Sequence, residues 1–156
     1  MTRKKQGIFY ILTIFTLVFF PFFQVFAATE FNPAYILSDS ELQDCNSLSK
    51  TDIQKFLDAR GSYLCNYQAE DENGVVKTAA EIIYEAAQNY RINPKYLLVT
   101  LQKEQSLITD DSPTTKQLNG ATGYGINESC GWQCPTYLRN SGFGKQVAAA
   151  AGLMRW

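Results

Sequence analysis

The apolar positions of the chain fall into helical stripes separated by polar breaks. In residues 51–61, TDIQKFLDARG, Ile53, Phe56 and Leu57 share one face; Ser49 or Thr51 starts this helix and Gly61 stops it. Residues 78–81, TAAE, carry the capping-box pattern and open a helix over residues 79–90. Its inward positions are Ile82, Ile83, Ala86 and Tyr90, with Glu81 and Glu85 turned away. Asn93-Pro94 caps and starts the next helix, about three residues later, so the two form a tight helical corner. A short helix capped by Asp39 or Ser40 and running through Asp44 comes earlier, after an extended lead-in over residues 29–38. A last helix begins over residues 143–156, with Val147, Ala151, Leu153 and Met154 as its apolar positions. Residues 66–76 read as a polar loop, and residues 117–128, QLNGATGYGINE, hold three glycines and cannot be a regular helix. The pattern predicts a mainly α fold with few or no short strands.

One stripe contains a foreign residue. Residues 97–108, LLVTLQKEQSLI, read as a helix. At about 100° per residue, Leu97, Leu101, Glu104 and Ile108 fall within roughly 60° of one another. Glu104 therefore stands where a leucine is expected. Burying an ionised carboxylate among leucines is costly, so such a group raises its pKa or finds partners. Two readings follow. In one, Glu104 lies at a frayed edge, pairs with a cation or caps a neighbouring helix. In the other it is a general acid in a cleft wall, as glycoside cleavage requires.

Composition narrows the setting. The 156 residues suffice for one ordinary domain. Residues 1–27 read as a signal peptide: Arg3, Lys4 and Lys5 precede 19 uncharged residues, and Val25-Phe26-Ala27 precedes a cleavage site at Ala28 or Thr29. The length of the apolar run leaves an uncleaved signal anchor as the alternative, and only then is a membrane a partner. The domain then spans residues 28–156. Its last helix reaches Trp156 with no cap, glycine or polar tail, so it is expected to be incomplete at the C-terminus. With 11 bases against 15 acids after residue 27, the domain carries a formal charge of −4. It has no basic stripe, which argues against nucleic acid as a partner.

Export also bears on the four cysteines, Cys45, Cys65, Cys130 and Cys134. In an oxidising compartment they suggest two disulfides, and three pairings are open. The local one, Cys45–Cys65 with Cys130–Cys134, is the simplest; its first bridge would close about 20 residues and be worth about 3 kcal/mol. A metal site built from all four competes, but the 45/65 spacing lacks the tight knuckle zinc prefers. The chain has no histidine, which excludes a Ser-His-Asp triad, a Cys-His pair and His-ligated metal within it. Carboxylates lead among the acid–base candidates.

The segment VTLQKEQSLIT after a short-looped corner resembles the catalytic helix of lysozyme-like glycosidases and lytic transglycosylases, whose glutamate lies near a helix end just before a serine. GATGYG, some 16 residues on, resembles the glycine-rich segment lining their substrate groove, and FGKQVAAAAGLMRW resembles the helix packed behind it. From FNPAYILSDSEL to the end, residues 31–156, the chain resembles a family of exported bacterial lysozyme-like proteins. They share INPKYLLVTLQKEQSLIT, the SYLC region and a second cysteine pair after the Gly-Tyr-Gly loop. Two features depart from the common transglycosylase pattern. Gln105 separates Glu104 from Ser106, and Gly123-Tyr124-Gly125 replaces the usual Gly-Leu-Met-Gln.

The resemblance implies a lysozyme-like helical domain acting on peptidoglycan or a related β-1,4-linked amino-sugar glycan, without cofactor or metal. Glu104 would protonate the leaving oxygen. Gln105, Ser106, Gly123, Tyr124 and Gly125 would contact substrate: the glycines by letting backbone approach, Tyr124 by stacking or hydrogen bonding. A lytic transglycosylase needs no second carboxylate, because the sugar's own 6-hydroxyl attacks and leaves an anhydro product. A hydrolase needs a base or nucleophile; Asp110 and Asp111 are nearest in sequence, though both also read as solvated residues at a helix end. Trp132 reads equally as a sugar platform or as packing between two cysteines. Three alternatives stand beside the muramidase or transglycosylase: a glucosaminidase cutting the neighbouring bond, a non-catalytic glycan-binding or adhesin module, and a purely structural exported domain.

Overall fold

A computed structural model describes residues 37–155. The expected export segment, most of the lead-in and Trp156 lie outside the described residues. Within them the chain is mainly helical: α1 (Asp39–Leu42), α2 (Lys50–Arg60), α3 (Ala79–Tyr90), α4 (Pro94–Gln105), α5 (Thr115–Asn119), α6 (Pro135–Arg139) and α7 (Phe143–Leu153). Single 3-10 turns occupy Tyr63–Cys65 and Gly131–Gln133.

Four helices begin with the same device. Ser38 with Glu41, Ser49 with Asp52, Thr78 with Glu81, and Thr114 with Gln117 form reciprocal capping boxes, each satisfying two backbone N–H groups that a helix start leaves unpaired. The cap of α1 is thus Ser38, not Asp39 or Ser40, and α1 stops at Leu42. α2 ends on Gly61 in the left-handed region, as expected.

Residues 66–76 are not simply a loop. β1 (Gln68–Glu70) pairs antiparallel with β2 (Val76–Thr78) in the register Gln68↔Thr78, Ala69↔Lys77, Glu70↔Val76. Asp71 builds the turn between them. Its carboxylate accepts the N–H groups of Asn73 at 2.8 Å and Val75 at 2.9 Å, and Lys77 Nζ at 2.7 Å. The Lys77 contact first, then the backbone donors, hold the Asp71 pKa down at about 2. Strands of three residues with no fully buried side chain leave no apolar alternation to read.

α3 is the hub of the core, packing against α7, α2, α4 and the end of β2. Ala79, Ala80, Ala86 and Ala87 on α3 and Val147, Ala150 and Ala151 on α7 are buried in one cluster where these two helices meet, and such small side chains permit close helix packing. Ile53 and Leu57 of α2 and Leu97 and Leu101 of α4 fill the remaining sides. Each such side chain is worth about 2 kcal/mol of burial. Val147 and Ala151 are buried as expected, whereas Leu153 is exposed and Met154 lies past the helix end. The last turn of α7 meets Tyr90, the last residue of α3, at Gly152, and Leu153 turns outward.

Candidate active site

The stripe that places Glu104 among leucines is broken by a turn. α4 ends at Gln105, and Ser106 adopts the left-handed conformation with φ 58° and ψ 18°. Its N–H donates to the Gln102 carbonyl at 2.9 Å. Gln102 then wraps the following turn: its Oε1 accepts the Ile108 N–H at 3.1 Å and its Nε2 donates to Thr109 Oγ1 at 3.0 Å. Leu107 and Ile108 are buried, but by this turn rather than by a continuing helix. The apolar stripe of α4 is therefore Leu97 and Leu101, and Glu104 comes one turn later, where the helix leaves the core. The burial inferred from the helical wheel is absent: the Glu104 side chain is 37% exposed, and Lys103 Nζ lies 3.4 Å from its Oε1.

The opposite wall is the glycine segment. A Cβ at Gly123 would lie 3.3 Å from Glu104 Oε2, so the carboxylate and this glycine face each other directly. Gly123 has φ 68°, a conformation costly for any side chain, and its bareness keeps the space beside the carboxylate open. The segment is irregular from Gly120 onward, but Gln117, Leu118 and Asn119 belong to α5. At its far end Gly125 (φ 82°) lies against α6; a Cβ there would fall 2.6 Å from the Tyr137 nitrogen.

Two groups hold the segment in place. Gln146 of α7 is fully buried. Its Oε1 accepts the Thr122 N–H at 3.3 Å, the Thr122 hydroxyl at 3.1 Å and the Tyr124 N–H at 3.0 Å. Its Nε2 donates to the carbonyls of Tyr124 at 3.2 Å and Asn140 at 2.9 Å. The second group is the clipped loop. Cys130 and Cys134 form a disulfide, and the Trp132 ring between them lies against Gly120, where a Cβ would overlap it. Lys116 Nζ sits 4.4 Å from the centroid of that ring, and Tyr137 meets it edge-on at 5.1 Å. Trp132 is packing for the glycine segment.

The expected substrate-contacting residues divide accordingly. Glu104 and Gly123 come together. Tyr124 is half-buried, its backbone pinned by Gln146. Gln105 offers its carbonyl to Gln117 Nε2 at 3.2 Å, and Ser106 serves as the exposed cap of α4. Asp110 is a brace: one oxygen accepts the Ser112 N–H at 3.0 Å and the other Gln117 Nε2 at 3.0 Å. Asp111 is exposed.

Cys45 and Cys65 do not pair; both are free and half-buried. Each is tied to a different helix. The Cys45 carbonyl accepts from Gln88 of α3 at 2.6 Å, and the Cys65 carbonyl from Gln54 of α2 at 3.0 Å. The Cys130–Cys134 bond also removes the four-cysteine metal site. Among the described residues no three His, Cys, Asp or Glu side chains gather as a metal site. Nor is any helix there long and apolar enough to cross a membrane.

Sequence reasoning missed Gln146 and Gln117. Gln146 leaves a trace, one amide in the otherwise small and apolar run QVAAAAGL, and Gln117 closes a Thr-x-x-Gln capping box. No curated protein and no solved structure matches the chain. Residues 35–154 match the family described as LasA, N-terminal domain, and the chain belongs to that family.

Proposed function

We propose that this is an exported enzyme of the cell wall that cleaves the β-1,4-linked amino-sugar strand of peptidoglycan, with Glu104 as general acid. The observation that carries the reading is the Glu104 carboxylate at the end of α4, partly exposed and brought directly against the bare backbone of Gly123. A scissile glycosidic oxygen that reaches the exposed side of this carboxylate would take its proton from Glu104. The lysozyme-like resemblance of VTLQKEQSLIT and GATGYG, the export segment in the sequence and membership of the LasA N-terminal family support the reading. Both oxygens of Asp110 are already engaged, and Asp111 lines a separate hollow beside Tyr63, so neither makes a good base to act with Glu104. That favours lytic transglycosylation, where the sugar's 6-hydroxyl supplies the nucleophile and no second carboxylate is required.

A second reading has its own support. Glu104 is partly exposed beside Lys103, and such a carboxylate also suits a non-catalytic glycan-binding module on the same scaffold. The two separate in one experiment. The protein and its Glu104→Gln variant are incubated with purified peptidoglycan and the soluble products weighed by mass spectrometry. Anhydro-muropeptides from the wild type, reduced at least about a hundredfold in the variant, are expected. Reducing-end products would make it a hydrolase. Binding of sacculi by both proteins with release by neither would sink the enzyme reading and leave the binding module.

A further inference from the structure

A hollow of about 480 Å³ lies between the 3-10 turn at Tyr63–Cys65 and the loop that leaves α4. Tyr63, Tyr67, Asn66, Gln68 and Asp111 line it. The size falls in the range of small-ligand sites. Its chemistry is distinctive in three respects.

First, Tyr63 is 41% exposed, and its ring centroid lies 5.6 Å from that of Tyr67 at a tilt of 40°. Tyr67 is anchored from behind by Phe143, edge-on at 5.5 Å. The hollow thus has one fixed ring and one presented ring, rather than a cage of several faces around a cation. Second, its polar groups are uncommitted. The hydroxyls of Tyr63 and Tyr67, the Gln68 amide and the Asp111 carboxylate have no hydrogen-bond partner among the described residues, and Asn66 spends only its Nδ2, on the Cys65 sulfur. Third, no Lys or Arg lines it and one carboxylate does, which disfavours phosphate or any other anion.

A presented aromatic face with neutral amides, hydroxyls and one carboxylate around it suits a neutral polyhydroxylated ring. The hollow is also joined to the candidate active site. The Tyr63 N–H donates to the Asp110 carbonyl at 3.3 Å, the Ser62 hydroxyl donates to the Leu107 carbonyl at 2.9 Å, and Gln117 bridges Asp110 to Gln105, next to Glu104. We infer that this hollow is a saccharide subsite, in which Tyr63 stacks on one N-acetylhexosamine ring and Asn66, Gln68 and Asp111 hydrogen-bond its hydroxyl and acetamido groups. In naming the sugar the inference rests on the cell-wall reading above.

The test measures binding of soluble β-1,4-linked N-acetylglucosamine oligomers to the full chain in a Glu104→Gln background, so that nothing turns over. Tyr63→Ala is expected to weaken binding by about tenfold with an unchanged unfolding midpoint, since the ring is exposed. Tyr63→Phe keeps the ring and is expected to restore most of it, and Asp111→Asn is expected to weaken binding less. Oligomer binding unaffected by Tyr63→Ala and Asp111→Asn would overturn the subsite, whatever Glu104 does. So would the absence of oligomer binding at millimolar concentration, or displacement of bound oligomer by tetramethylammonium. If Tyr63→Ala loses binding while the wild type releases nothing from peptidoglycan, the subsite stands and the enzyme reading falls.

Discussion

The two walls that meet at Glu104 are held by different forces. α4 is held by burial: Leu97, Leu98 and Leu101 press into the core around α3, and the turn that ends the helix tucks Leu107 and Ile108 behind them. The glycine segment from Gly120 to Gly125 has few apolar side chains to bury. It is held by one amide, Gln146, and by a clipped indole, Trp132. The contrast separates stability from placement. The first wall contributes free energy to the whole fold, whereas the second mainly fixes where a few backbone atoms stand.

The largest expected effect comes from the first wall. Leu101→Ala removes a fully buried side chain and should cost about 2–5 kcal/mol, lowering Tm by roughly 10 °C or more. Well below that Tm, the glycan cleavage proposed here should change little, because α4 keeps its direction. Gln146→Leu should reverse the pattern. It leaves the N–H groups of Thr122 and Tyr124 and the carbonyls of Tyr124 and Asn140 without this partner; as the segment loosens, water takes up most of these bonds, so the net cost should stay near that of one unpaired group, about 1–3 kcal/mol. Amide exchange at Thr122 and Tyr124 should accelerate far more than exchange in α3, and cleavage should fall by at least about tenfold. Equal acceleration in α3 and in the glycine segment would break the comparison, since the two walls would then be one cooperative unit.

Replacing Cys130 and Cys134 by serine should be milder. The bridge closes only a few residues, so its chain-entropy contribution is about 2 kcal/mol. The local consequence is more specific. With the clip open, Trp132 is free to leave Gly120, and its fluorescence should shift to the red while Tm moves by only a few degrees. A Trp132 signal that stays put would show that Lys116 and Tyr137 hold the ring without the disulfide.

The same contrast explains what was legible in the sequence. Burial writes a period, so α2, α3 and the start of α4 could be read from Ile53, Leu57, Ile82, Ile83, Leu97 and Leu101. Caps are legible too, since Ser49, Thr78 and Asn93 stand at their required offsets. The end of α4 was not. The spacing of Leu107 and Ile108 continues the helical pattern, and only a serine marks the left-handed residue where glycine would have announced the stop. The hairpin was hidden because it is short and polar, held by Asp71 and Lys77 rather than by an apolar face. Gln146 and Gln117 were invisible as a site because polar side chains carry no periodicity. Their partners, Thr122, Tyr124, Gln105 and Asp110, are chosen by the folded chain.

Ser106 gives the smallest effect and tests the boundary between the two walls. It holds φ 58°, where a Cβ is unfavourable, and its hydroxyl has no hydrogen-bond partner among the described residues. Glycine fits that conformation without strain, offset in part by the greater freedom it gives the unfolded chain. Ser106→Gly should therefore leave stability unchanged or raise it by up to about 1 kcal/mol. If stability were all that mattered at this position, glycine would serve at least as well. The serine stands two residues from Glu104 at the exposed lip of the site, so its hydroxyl is expected to touch the glycan. A Tm that holds or rises while cleavage falls severalfold is the expected result. It would place the strain of Ser106 with function rather than with folding. Cleavage left unchanged would return Ser106 to the wall held by burial, as a helix cap and nothing more.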